Sequence, residues 1–488
     1  MKRLFFIAIL LTSNLIIVLG QTSKTDYFIN TSTTRSLLNP ALRPSQGYVG
    51  IPVLSNVYMD AKTNTLNLGH LTFEKNGKLL NFMHPDVSFD EFIKDMSKNN
   101  YLSMDMSMRI LSGGWYSGDG FWSIDMGVRS HTDVNIPKST FEFLKKGFSA
   151  NPDDSFEYDL KNIGGNVSAF METGVGYSKP FLDNSLMLGA KVKLLFGIGN
   201  MDFNIDRLNI SFKDQIWKAQ AKASINGTYS GLKPTYTTKT RYDENGDRYV
   251  EEQFDGFDAD GFGMSGFGLG FDIGGVYDFK NMSKGIEDET LSNILSRSKV
   301  SMAFTDIGYI SWSGKNSAQL RSPDLEVEIT PDTEWGGEDK SFEDHLGDIG
   351  KDLEDIFNFK ESKNGKGRTS GLRTNMNIGI EYEAWKDNLT VGLLSSTQFG
   401  AYHTTSELTL SANYNPNRDW FATSLSYSFV HGMFKTIGLA VHLAPKKGLN
   451  FFIASDYLIP EVNKEFIPVS SRSVNLQFGF TVPIGKRM

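Results

Sequence analysis

The most specific chemical signal in the chain is a set of charges at alternate positions of apolar segments. Asp105, Arg109, Asp125 and Arg129 stand among Leu102, Met104, Met106, Met108 and Ile110, and then among Trp122, Ile124, Met126 and Val128. Alternate side chains of an extended chain point to opposite faces, so a hairpin puts these charges on one face and the methionines on the other. A register that sets Asp105 opposite Arg129 also sets Arg109 opposite Asp125, and a shift by two loses both direct pairs. The expected chemistry is mutual ion pairing that fills a narrow interior, where a charge left alone costs about 3 to 5 kcal/mol.

Other apparent motifs carry less. Gly261, Gly263 and Gly266 match the spacing of a dinucleotide-binding loop but lead into an alternating strand, where pyrophosphate binding needs a helix N-terminus. Gly266, Gly268, Gly270 and Gly274 are expected instead to face inward and leave room for a plug or ligand to approach the backbone. Asp243, Asn245 and Asp247 resemble the start of a calcium loop, but Arg248 and Phe254 occupy the positions that need glycine and glutamate. An Asn245-Gly246 hairpin turn explains them better. The seven histidines are dispersed, no HExxH is present, and no serine lies in GxSxG. No catalytic residue, metal site or cofactor is expected, and the chain is not read as an enzyme.

The elements that must position these residues are strands. Period-two alternation runs through 102–110, 122–128, 167–177, 186–196, 217–227, 267–273 and 300–312, and then 372–382, 389–399, 408–414, 421–429, 437–443, 449–457 and 474–484. Each approaches the 9 to 11 or so residues that cross a bilayer as a tilted strand. The face opposite the apolar one is rich in Gly, Ser, Ala and Thr with occasional charges, which suits a barrel lumen better than the polar exterior of a sandwich. The expected fold is all-β, a closed antiparallel transmembrane barrel of about 14 strands. Segments 48–58 and 66–73 could add a pair, and 207–212 could be a further strand or a hairpin extension.

Composition agrees. With 47 glycines, 15 prolines, 61 aromatics and no cysteine, the chain is neither collagen-like nor proline-rich, and it holds no disulfide, zinc-thiolate or lipoprotein anchor. A mean hydropathy of −0.28 excludes a bundle of membrane helices. The formal charge of −8 argues against a nucleic-acid partner. Lys2, Arg3 and the apolar stretch that follows are read as a signal peptide over 1–20, with a retained anchor as the alternative. Residues 21–100 are then an N-terminal plug or periplasmic segment, and 101–488 the barrel.

Long insertions near 229–261 and 313–370 are expected at one end, and tight turns at 386–388, 415–418 and 445–448 at the other, as bacterial barrels prefer with both termini periplasmic. Between Asp324 and Glu361, 14 acidic residues stand against three lysines. Phe342, Leu346, Ile349, Leu353 and Ile356 recur there at helical spacing. The insertion is read as a solvated acidic loop, with bridging by divalent cations as the sharper alternative.

Residues 27–60, including Leu38, Asn39, Pro40, Ala41, Leu42, Arg43 and Pro44 and then Gly50, Ile51, Pro52, Val53 and Leu54, resemble an uncharacterised Bacteroidetes family of outer-membrane barrels. The resemblance continues through 82–92 and 189–194. The Asn39-Pro40-Ala41 piece is similar to the N-terminal hatch of long-chain fatty-acid transporters and to barrels of type IX secretion. The resemblance implies a plugged barrel and supplies no substrate. The chain departs from many outer-membrane barrels in ending Gly485-Lys486-Arg487-Met488, without a terminal aromatic.

The reading is a barrel of the bacterial outer membrane, in contact with its lipid, that passively takes up a hydrophobic or amphipathic small molecule past a gate at Asn39, Pro40, Ala41 and Leu42. The alternative is a non-transporting scaffold or accessory subunit of a secretion or surface complex.

Overall fold

A computed structural model describes residues 22–486, apart from 65–71, 76–77, 82–85, 95, 147–154, 230–231, 243–247, 260–262, 315–316, 323, 330–355, 358, 362–365, 417–419, 431–433, 446–447 and 459–471. The signal-peptide stretch, the Asn245-Gly246 turn and nearly all of the helical spacing after Phe342 lie outside the described residues.

The chain forms a closed antiparallel barrel of 14 strands. Its wall strands are β1 (Gly47–Gly50 continuing as Val57–Thr63), β2 (Asn99–Ser117), β3 (Gly120–Pro137), β4 (Ile163–Phe181), β5 (Leu186–Lys213), β6 (Gly266–Asp278) and β7 (Ser298–Trp312). They are followed by β8 (Arg368–Gly371 continuing as Thr374–Trp385), β9 (Leu389–Phe399), β10 (Thr404–Tyr414), β11 (Phe421–Val430), β12 (Phe434–Leu443), β13 (Asn450–Ser455) and β14 (Ser473–Ile484). Each pairs with the next, and β1 closes the ring by pairing with β14 on one side and β2 on the other. Closure leaves no open edge to face lipid. Among the described residues, no helix is long and apolar enough to cross a membrane.

Alternation sorts the side chains. In β6, Phe267, Leu269, Phe271 and Ile273 are 39% to 52% exposed on the outside, while Gly268, Gly270, Asp272 and Gly274 are buried inside. The same segregation repeats around the wall, and each wall strand is laddered to a neighbour on both sides, which is the condition for spanning a bilayer.

The strand number agrees with the alternation, but the membership differs at one place. Segment 217–227 belongs to the strand Ile216–Tyr229, which lies beyond the wall. The reason is the length of β5: it runs 28 residues without a break, its lower part pairs with β6, and Ile216–Tyr229 returns only along its upper part, reaching as far as Gly199. The segment 207–212 is therefore a hairpin extension. The missing wall strand is supplied by β1, so the division at residue 100 is corrected: the lumenal segment ends at Gln46, and the wall begins at Gly47. Losing one strand and gaining one preserves the parity, so the long insertions still gather at one end and the 386–388 turn at the other.

The hairpin of β2 and β3 takes a register other than the expected one. Asp105 lies opposite His131, Ser107 opposite Arg129, and Arg109 opposite Gly127. The two-residue turn Gly118-Asp119, with Gly118 at φ 57°, sets the pairing above. An extra residue between Arg109 and Leu111 then restores the methionines to the outer face. Turn geometry, and not direct charge pairing, decides the register.

Beyond the wall, β5 and Ile216–Tyr229 join Phe156–Leu160, Ser317–Arg321 and Leu325–Ile329 in an extension of the sheet. It carries its own core, in which Phe92, Phe143, Leu160, Ile210, Phe212 and Trp217 pack together with Phe357. The helices α1 (Phe89–Ile93) and α2 (Lys138–Lys146) cover it. The outer connections thus fold into a cap with an interior of its own.

Closure through β1 is open to a direct test, because the chain has no native cysteine. Val49 and Val482 are register partners on the outer face of β1 and β14. The pair Val49→Cys and Val482→Cys is expected to form a disulfide in the folded barrel and to make the boiled, non-reduced chain migrate as a compact ring on a gel. Absence of the cross-link in barrels that still shift on heating would mean that the ring closes elsewhere.

Candidate functional site

The lumen is divided between two halves of the wall. On β2 to β7, four cations and four carboxylates point inward: Arg109, Arg129, Lys191 and Lys193 with Asp125, Glu172, Asp272 and Asp306. Arg109 pairs with Asp125, and Lys191 reaches the same carboxylate at 2.6 Å. Arg129 binds Glu172 at 2.9 Å and Asp306 at 2.7 Å, while Lys193 lies 2.7 Å from Asp272 and 2.6 Å from Asp306. Asp306 sits at a bulge with φ 60°, a conformation aspartate tolerates better than most residues, and its N–H donates to Asp272 at 2.7 Å. Six of the eight side chains are at most 7% exposed and Arg109 and Arg129 are 11% and 18% exposed, so the cluster persists only because the charges balance.

The expected charge residues do meet this layer, although not in the expected pairs. Arg109 and Asp125 are diagonal neighbours and pair despite the shifted register. Asp105 and Arg129 do not pair: Asp105 accepts from Arg373 at 2.9 Å across the lumen, and Arg129 turns to β4 and β7. Lys191, Lys193, Glu172 and Asp272 were legible as inward positions of alternating strands. What no pattern on one strand could show was which of them meet.

Opposite, on β9 to β14, much of the inner face is small: Ser396, Thr409, Ser411, Ser424, Ser426, Ala440 and Ala454 are all buried, with the carboxylates of Glu407 and Asp456 among them. Residues 22–46 fill the space against it. Asp456 accepts from the Ser23 hydroxyl at 2.5 Å, the Lys24 N–H at 3.1 Å, and the Thr25 N–H and hydroxyl at 2.8 and 2.7 Å. Lys24 pairs with Glu407 at 2.8 Å. Phe28 lies against Gly392, where a Cβ would come within 2.3 Å of the ring, and Ile29 packs on Ala422, Ala440 and Ala454.

The chain then turns back at the mouth on the tight-turn side. Asn39 is fully buried; its side-chain oxygen accepts from the Ala41 N–H at 3.0 Å, and Leu42 donates to the Asn39 carbonyl at 2.9 Å, which makes a compact turn through Pro40. A Cβ on Gly274 would lie 2.1 Å from Asn39, and one on Gly189 2.3 Å from the Pro40 carbonyl oxygen. Only Gly274 of the four expected glycines receives this turn. Gly266 makes room for Trp312, Gly268 for the backbone of β7, and Gly270 for Lys193 and Leu372. That expectation is corrected: the strip mainly accommodates neighbouring wall residues, because adjacent strands are closer than anything in the lumen.

The outer mouth has a second closure absent from the sequence reading. Residues 400–403, between β9 and β10, fold inward. The Tyr402 hydroxyl lies 3.0 Å from an Asp202 carboxylate oxygen and 3.2 and 3.3 Å from the carbonyls of Gly165 and Phe203, on β4 and β5. His403 stacks on Tyr101 of β2 with ring centroids 4.0 Å apart and stands 3.9 Å from Asp133. Burial holds the His403 imidazole below its ordinary range; Arg373 and Lys62 push the same way, and Asp133 and Asp105 oppose them. Between the two closures, gaps of about 10 to 30 Å³ beside Arg129, Asn375 and Glu407 have room for a water molecule or two. Among the described residues, no group of three or more His, Asp or Glu side chains is placed to hold a metal ion.

The sequence profile of a family of unknown function, DUF5723, matches residues 40–456. No curated protein matches the chain. Among solved structures, the toluene transporter TbuX of Ralstonia pickettii is similar at 8% identity with a TM-score of 0.40, over 96% of this chain and 99% of that one. The toluene transporter TodX of Pseudomonas putida gives 8% identity and a TM-score of 0.34, over 96% of each chain. The β domain of the Bordetella autotransporter BrkA gives 7% and 0.26, over 90% of this chain and all of that one.

Two outcomes follow from the site. Arg129→Met removes the cation shared by Glu172 and Asp306, and should lower stability in detergent by about 3 to 5 kcal/mol, read by urea unfolding; Arg129→Lys should recover part of it. The mouth closure should loosen in acid. His403 is neutral when enclosed, so its contribution is complete above the ordinary histidine pKa of about 6.5 and is lost as pH falls through the lowered value. A spin label at Ala401→Cys should gain mobility between pH 7.5 and pH 5 on the order expected for a freed loop. In a His403→Phe background, which keeps the stack on Tyr101, the label should not respond.

Proposed function

The chain belongs to the DUF5723 family, and we propose that it is an outer-membrane barrel for passive uptake of a neutral hydrophobic or amphipathic small molecule. One observation carries this reading: the filling of the lumen is of two separable kinds. The eight-charge layer is built from wall side chains and stays on β2 to β7. The plug, residues 22–46, is tied to the wall through the chain only at Gly47, and the ring of strands closes without it. Withdrawing the plug toward the tight-turn mouth would therefore open a passage along the small-residue half without breaking an ion pair between wall strands or a ladder hydrogen bond, at the cost of the plug's own contacts to Glu407 and Asp456.

The solute class follows from that lining. Ser, Thr, Ala and Gly side chains offer hydroxyls and small apolar contacts, and the charges on this face, Glu407 and Asp456, are both carboxylates, so an anion would lose hydration there without compensation. The route would run from the outer cap, past the closure at Tyr402 and His403, and down the face vacated by 23–29. Release would follow displacement of the Asn39 to Leu42 turn. No chemical transformation is assigned to the barrel.

Gly189→Val and Gly392→Val test the reading without shortening the chain. Each added side chain intrudes on the plug, at Pro40 and Phe28 respectively. The double variant in liposomes should admit a small neutral sugar several-fold faster than the native barrel, and cells carrying it should take up N-phenyl-1-naphthylamine faster. Unchanged permeability to both probes, in barrels that still show heat-modifiable migration, would reject uptake and leave the scaffold role.

A further inference from the structure

We infer that the connection between β6 and β7 is a membrane foot: residues 279–297 rest in the headgroup region of the leaflet at the tight-turn end, with Met282, Leu291 and Ile294 among the acyl chains. The inference rests on the barrel fold and not on the uptake reading.

The first observation is an inverted polarity. The connection contains helices α3 (Lys280–Ser283) and α4 (Glu289–Leu295). Ser283, Ser292 and the Asn281 amide turn toward the protein, while Thr290 and Asn293 are exposed. Ser283 is 3% exposed, the Ser292 hydroxyl donates to the Ser283 carbonyl at 2.9 Å, and the Asn281 amide donates to the Asp183 carbonyl at 3.1 Å and the Ser185 hydroxyl at 2.9 Å. Met282, Leu291 and Ile294 are meanwhile 46% to 47% exposed. In water the hydrophobic effect favours the reverse arrangement, so a helix pair that hides serine and presents leucine and isoleucine is matched to an apolar exterior.

The second observation is continuity with the lipid-facing surface. Asn281 docks on the β4–β5 turn, whose Phe181 and Leu182 are 47% and 66% exposed. On the other side, the Glu383 N–H donates to the Arg297 carbonyl at 2.8 Å, which ties the foot to the strand end carrying Trp385, itself 62% exposed. Phe181, Leu182, the foot and Trp385 therefore add apolar side chains below the outward-facing Leu188 and Met302, interspersed with exposed polar residues such as Asp183, Asn184 and Lys386. Lys280, Lys284 and Arg297 flank the apolar side chains, where their ammonium and guanidinium groups can reach lipid phosphates while their stems stay in the apolar layer; the exposed carboxylates of Glu287, Asp288 and Glu289 between the helices and at the start of α4 balance them in number.

Wall closure does not require this insertion. β2 and β3 are joined by Gly118 and Asp119 alone, and β8 and β9 by 386–388, so neighbouring strands at this end need only a tight turn.

The absence of native cysteine makes single labels unambiguous. Nitroxides at Leu291→Cys, Ile294→Cys, Met282→Cys and Glu287→Cys, with Leu269→Cys as a wall reference, are to be read by power saturation in phosphatidylethanolamine–phosphatidylglycerol vesicles. Each barrel is first checked for heat-modifiable migration, and the remaining foot positions serve if one variant does not fold. Labels at 282, 291 and 294 should meet oxygen in preference to a water-soluble nickel chelate, as at 269, with the preference reversed several-fold at 287. Nickel access at the foot equal to that at 287 would overturn the inference. So would foot labels that are nickel-accessible in pure lipid but shielded from both reagents in native outer membranes, since a protein partner would then cover the face.

Discussion

The constraint on which the rest depends is that no backbone edge can be left open in hydrocarbon. The C-terminal strand β14 needs a partner, and β1 is that partner, pairing with β14 and β2 at once. Because β1 begins immediately after Gln46, closing the wall also fixes the end of the plug at the mouth. The segment that seals the ring and the segment that stops the lumen are consecutive in the chain. The earlier part of the plug lies back in the interior, where Asp456 gathers the donors of Ser23, Lys24 and Thr25.

The inside of this closed ring is filled by two physical means. One half uses long charged side chains that neutralise one another close to the wall. The other uses side chains so small that a separate segment fits against them, at Gly392 for Phe28 and at Ala422, Ala440 and Ala454 for Ile29. Buried ion pairs contribute little net stability but make each partner costly to lose, so the charged half is rigid. The other half is held to residues 22–46 by hydrogen bonds, the Lys24–Glu407 ion pair and a few apolar contacts.

At the outer end, polypeptide freed from the bilayer forms a conventional interior. Phe212, Trp217 and Phe357 share one apolar cluster, and β5 continues from the wall into that sheet without a turn. Tyr402 and His403 sit beneath it, linking β9 and β10 to the opposite strands.

Alternation by itself determined that the chain is a barrel and very nearly which segments build it, because the inside–outside rule acts on every residue of every strand. It determined that Asp105, Arg109, Asp125 and Arg129 face inward. It did not determine register, since even shifts leave the faces unchanged; the Gly118-Asp119 turn and the bulge after Arg109 decided that. It did not place 217–227 outside the wall, because that strand alternates like the others and only competition with β6 for the edge of β5 excludes it. The partners of Arg129, the union of Asp105 with Arg373, and the closure at Tyr402 join residues on distant strands. Such contacts depend on the diameter and stagger of the closed ring, which exist only once the tertiary structure has formed.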